Sequence, residues 1–94
     1  MNINGKETKP RLDLGAVKLF NKASGRNMFA IKEKEWNDPE VISALIYAVA
    51  HRGNKEITME DVDSLTMGEL ETAAKQVEIM MKEFIPEGKK SPLA

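Results

Sequence analysis

The sequence predicts a mainly α protein: about four helices in a small orthogonal bundle, preceded by a short N-terminal β-hairpin. Three observations predict it. Asn4-Gly5 is the dipeptide of a two-residue hairpin turn, in which both central residues take positive φ. Asp13, Asp38, Thr58 and Thr66 are helix-capping residues placed at the head of later segments. The long segments those caps open carry apolar residues at helical rather than alternating spacing.

Residues 1–12 read as extended, with Met1 and Ile3 before the turn and Glu7 to Leu12 after it. Pro10 has no N–H to donate, which limits the second arm to an edge. Asp13 opens a first helix from about Leu14 to Ala23, with Leu14, Val17 and Phe20 as its apolar face and Gly25 ending it. In residues 26–36, Met28, Phe29 and Ile31 are expected as apolar anchors of a loop or short turn. Trp36, partly buried, closes that segment.

The second helix has the clearest start. Asp38 is the cap, Pro39 occupies the first helical position, and Glu40 suits the positive end of the dipole. It runs to about His51 or Arg52, and Gly53-Asn54 stops it. Its middle, Val41 to Ala50, is apolar on nearly all sides, as in a helix covered by neighbours all round. A chain of 94 residues has few neighbours to offer, so part of that surface is expected to be covered by another chain. Val41, Ile42, Leu45 and Ile46, with Met80 of the last helix, are the candidate self-association or partner surface.

Thr58 opens a short third helix, and Thr66-Met-Gly-Glu69 is a capping box opening the fourth. Leu70, Ala73, Ala74, Val77, Met81, Phe84 and Ile85 form an amphipathic stripe along it. Pro86 and Gly88 end it. The reading is one domain over residues 1–88, with 89–94 as a disordered tail.

The same residues argue against most chemistry. The chain has no cysteine, which excludes disulfides, cysteine zinc sites and thiol catalysis and fits a reducing compartment. The start lacks an apolar signal region, and the longest apolar run, about ten residues, is too short for a bilayer. His51, the one histidine, reads as a C-terminal helix residue. Asp61, Asp63 and Glu69 suggest a calcium loop only until its sixth position, Thr66, where glycine is required. The serines lack a nucleophile-elbow context, the glycines form no phosphate-binding loop, and no carboxylate pair has an environment for acid–base work. The expectation is therefore no enzyme, no cofactor, no metal and no small-molecule substrate.

Net charge is −1, which gives no global attraction to nucleic acid. Lys18, Lys22, Arg26, Lys32 and Lys34 could touch phosphate, but the nearby aromatics are few and read as core, so no nucleic-acid partner is expected. Charge is nonetheless segregated. Residues 1–34 hold eight Lys/Arg against three Asp/Glu, and residues 35–87 hold four against twelve. Such segregation is either a solvated accident or a basic end that meets the acidic body of a neighbouring copy. Six methionines suit an adaptable binding surface.

Three segments together resemble a known family. They are Met1-Asn-Ile-Asn-Gly-Lys-Glu7 with Arg11-Leu-Asp-Leu-Gly-Ala-Val-Lys-Leu-Phe20, then Pro39-Glu-Val-Ile-Ser-Ala-Leu-Ile-Tyr-Ala48. The last is Ile57-Thr-Met-Glu-Asp-Val-Asp63, followed by a long helix ending Glu83-Phe-Ile-Pro-Glu-Gly88. In this order they look like the tail assembly chaperones of long-tailed bacteriophages and of prophages in Gram-positive bacteria. No single motif carries the likeness. The resemblance implies a helical, non-enzymatic assembly factor of the host cytoplasm. It would bind the tape measure protein, recruit tail tube subunits and form homo-oligomeric rings or spirals. It inherits no catalytic residue. It also implies a longer frameshifted form, since Gly88-Lys-Lys90 can be encoded by an adenine run on which a ribosome slips. The rival reading is a small phage-encoded regulatory or adaptor domain, perhaps DNA-binding through a helix-turn-helix. The acidic start of the helix at Thr66 counts against it.

Overall fold

Every helix starts where its capping chemistry is written. A computed structural model describes residues 1–84; the expected stop at Pro86 and Gly88, the tail and the slippery-codon segment lie outside them. A two-stranded antiparallel hairpin pairs β1 (Asn2–Ile3) with β2 (Lys6–Glu7). Its turn residues Asn4 and Gly5 have φ of 53° and 84°, as the dipeptide predicts. The hairpin is shorter than the expected residues 1–12: Thr8 N–H still donates to the Met1 carbonyl at 2.9 Å, and beyond it the chain leaves the ladder and becomes a strap over the second helix.

The first helix, α1 (Leu14–Ser24), is capped by Asp13, whose carboxylate accepts from the Ala16 N–H at 2.9 Å. Two 3₁₀ turns follow, Met28–Ala30 and Glu33–Asn37. The central helix, α2 (Pro39–Gly53), is capped by Asp38, which accepts from the Glu40 N–H at 2.9 Å. In α3 (Met59–Asp63) Thr58 and Asp61 cap each other reciprocally. Before α4 (Met67–Phe84), Thr66 and Glu69 do the same, with Thr66 N–H donating to Glu69 at 2.9 Å. The protein is thus mainly α, with four helices and a short N-terminal hairpin.

The helices pack on α2. Its buried residues are Val41, Ala44, Leu45, Ile46, Ala48, Val49 and Ala50. The alanines let neighbours approach closely, while Phe20 of α1, Ile3 of β1 and Ile57 fill the space between elements and are fully buried. Phe20 also stacks on Trp36, with ring centroids 5.8 Å apart. The strap crosses the last turn of α2. There Arg11 N–H donates to the Val49 carbonyl at 3.1 Å, and the buried Thr8 hydroxyl to the Ala50 carbonyl at 2.7 Å. A Cβ on Gly53 would collide with the Lys9 carbonyl and the Thr8 hydroxyl, so the crossing needs glycine.

Two expectations about the core are corrected. Leu14 is 62% exposed rather than on the apolar face of α1. The buried face of α1 is centred on Ala16, Val17 and Phe20, and at 100° per residue Leu14 lies roughly 110° round from that centre. Phe29 is 57% exposed rather than an anchor. It sits in a 3₁₀ turn, where successive residues are about 120° apart, and Met28 takes the inward position.

Ion pairs tie distant segments together. Asp13 forms a two-pronged pair with Arg52 at 3.0 Å on each prong, linking the start of α1 to the end of α2. Arg52, with backbone donation from Ala16 next, lowers the Asp13 carboxyl from 3.8 to about 2. Asp61 accepts from Lys6 at 2.9 Å and from Asn4 at 3.0 Å, pinning the hairpin to α3. These bonds, Lys6 foremost, hold its carboxyl well below the ordinary carboxylate range.

Three outcomes are expected. Phe20→Ala should lower unfolding stability by about 3–5 kcal/mol, read from the denaturant midpoint. Gly53→Ala should lower the midpoint as well, because the strap must move. Asp13 and Asp61 titrate lower when folded than when unfolded. Their stabilisation is therefore complete above the unfolded carboxylate pKa; the Asp13 share is lost as pH falls from about 4 towards 2, and the Asp61 share at still lower pH. Urea midpoints measured across that window should fall steeply, and Asp13→Asn should flatten the Asp13 share of the slope.

Candidate protein-binding groove

Among the described residues, one flank of α2 is left open. The first half of α2 faces the last half of α4 across an open groove of about 550 Å³. Ile42, Leu45 and Ile46 line it from α2, Ala74, Val77 and Met81 from α4, and Trp36 from the turn before α2. The polar contributions are Asn37, Glu78 and Lys82. Glu78 and Lys82 are four residues apart and 3.7 Å from each other, an exposed pair of little energetic weight.

The groove exists because α4 carries more apolar surface than α2 covers. Of its described residues only Ala73 and Val77 are fully inside the core. Leu70, Ala74, Met80 and Met81 are half-buried.

The candidate surface read from the sequence is split by the fold. Ile42, Leu45 and Ile46 come together in the groove. Ile42 is half-exposed, whereas Leu45 and Ile46, at 7% and 1% exposure, form its floor. Val41 is fully buried and cannot meet a partner while the chain is folded, because α2 is covered on that side by its own chain. Met80 lies on the other flank of α4, beside Pro10, Leu12 and Glu83 in a second, shallower depression. The sequence reading did not include Trp36, Ala74, Val77 and Met81 as the groove's other walls. The stripe on the last helix was the available signal, but only the tertiary arrangement shows which part of it α2 leaves uncovered.

The remaining candidates have local duties. His51 donates from Nδ1 to the Ile57 carbonyl at 2.8 Å and lies against Tyr47, holding the link between α2 and α3. Asp61 and Glu69 are engaged as caps, and backbone donation from Thr66 lowers the Glu69 carboxyl. Among the described residues, no three acidic or histidine side chains are grouped to hold a metal ion. Arg26 is clamped between Glu35 at 2.8 Å and Asp38 at 3.0 Å, while Lys18, Lys22, Lys32 and Lys34 are exposed. Backbone donation from Lys32, aided by Arg26, lowers the Glu35 carboxyl. No described helix is long and apolar enough to cross a membrane.

No protein-family model, curated protein or solved structure matches the chain.

The groove's floor and rim should respond oppositely to charge. Leu45→Asp places a carboxylate in the core and should abolish cooperative melting, whereas Ile42→Glu can keep its charge in water and should melt within about 1 kcal/mol of the parent. Far-UV circular dichroism melts of the two variants check this.

Proposed function

We propose that the protein is a non-enzymatic assembly factor that binds other proteins, of the kind its segment order resembles: a phage tail assembly chaperone. In this reading it holds the tape measure protein, recruits tail tube subunits and self-associates in a ring or spiral in the host cytoplasm. The observation that carries the binding role is the open apolar groove between α2 and α4. Exposed apolar surface that a small chain does not cover marks a place where another chain can lie. The particular clients come from the resemblance of the three sequence segments.

The regulatory reading fares less well. A helix-turn-helix would use α4 as the element entering a DNA groove, and its first turn carries exposed Glu69 with Glu71 just beyond. Those carboxylates repel phosphate.

Co-expression with the tape measure and tail tube proteins of the same genome tests the proposal. The expected result is co-purification of both and a light-scattering mass well above the 10.5 kDa of one chain. A protein that stays monomeric and retains neither one, or that binds duplex DNA with a steep salt dependence, would overturn it.

A further inference from the structure

We infer that the groove between α2 and α4 takes a single amphipathic α-helix from another chain. The inference rests on the protein-binding reading above and names the form of the bound segment.

The first argument is backbone satisfaction. A segment entering the groove leaves water, and each N–H and C=O it brings needs a partner. The two long walls are the sides of α-helices, whose backbone groups are already bonded along their own helices. Among the described residues the lining adds polar side chains only at Asn37, Glu78 and Lys82, too few for the backbone of an extended segment. Strand addition has no template either, because β1 and β2 do not line the groove. A helix arrives with its own backbone paired and offers only an apolar stripe.

The second argument is size. Ten residues line the groove, whereas a stable interface between globular partners uses roughly 20–30 residues on each side. A whole second copy of this chain would need contact far beyond the groove, but one helix face does not. The walls suit such a face. Ile42, Leu45 and Ile46 follow i, i+3, i+4 on α2, and Ala74, Val77 and Met81 follow i, i+3, i+7 on α4. An added helix would form a third member packed against two. Met81 can adjust its shape to different side chains. Trp36, held on one face by Phe20, is a firmer wall.

Trp36 is also the chain's one tryptophan and so reports on the groove directly. The test is a display selection of random peptides of about 18 residues, five helical turns, on the full chain, with folded Ile42→Glu as the counter-target. Selected peptides should carry apolar residues at i, i+3 or i+4, and i+7, without internal proline. They should shift Trp36 emission to the blue in a saturable way. Affinity should drop at least tenfold in Ile42→Glu and in a second folded variant, Met81→Asp. Selected sequences with alternating apolar residues or proline-rich runs would overturn the inference. So would binding that ignores both substitutions, or a selection that yields no groove-dependent binder. If deleting residues 85–94 moves Trp36 emission to the red as peptide binding moves it to the blue, the chain's own end is the occupant and the inference falls. Tape measure protein that co-purifies undiminished with both variants would leave the assembly role standing and remove the groove helix alone.

Discussion

Seven of the fifteen residues of α2 are buried, and α1, the second 3₁₀ turn, α3 and α4 all pack on it. A helix with apolar residues on nearly every side cannot remain in water, so the other elements are arranged by the need to cover it. Its alanines, at 44, 48 and 50, give covering elements close approach. Phe20, Ile3 and Ile57 fill what remains. Its last turn is tied by the strap through Thr8 and Arg11, and its Arg52 holds Asp13 at the head of α1. Losing the packing of α2 would therefore release the hairpin, α1 and α4 together.

Local chemistry was legible in the sequence. Asn4-Gly5, Asp13, Asp38-Pro39, Thr58 and the Thr66–Glu69 box each place an element boundary through contacts within a few residues, and each stands in the fold. Side-chain direction was less legible because it depends on partners far along the chain. Leu14 looks like a face residue until α2 fixes which way α1 turns. Phe29 and Met28 are equivalent apolar neighbours until a 3₁₀ turn sends one inward. Val41 and Ile42 look alike as partner contacts, and only the packing around α2 buries the first and leaves the second at a groove. Trp36 and Met81 were visible as apolar residues, but their meeting across that groove was not.

The charge pattern changes meaning in three dimensions. The basic first third and acidic remainder read, in the sequence, either as solvated charge or as contact between copies. Part of that complementarity is instead satisfied within the chain, by Lys6 with Asp61 and Arg26 with Glu35 and Asp38. These pairs join segments that also meet in the core, through Ile3, Ile57 and Val62 on one side and Phe20, Met28 and Trp36 on the other. The groove carries a self-neutralised rim and an apolar floor, and discrimination there would come from shape and from which residues a partner helix presents.

Amide hydrogen exchange on the free protein and on its complex with a peptide selected on the groove tests the central claim most directly, namely that α2 is the covered foundation and its flank towards α4 the proposed place of binding. The account predicts that α2 amides are the slowest in both samples, and that the peptide adds protection along the last half of α4 and around Trp36 and Ile42. Added protection confined to α1 or the hairpin, with α4 unchanged, would contradict it.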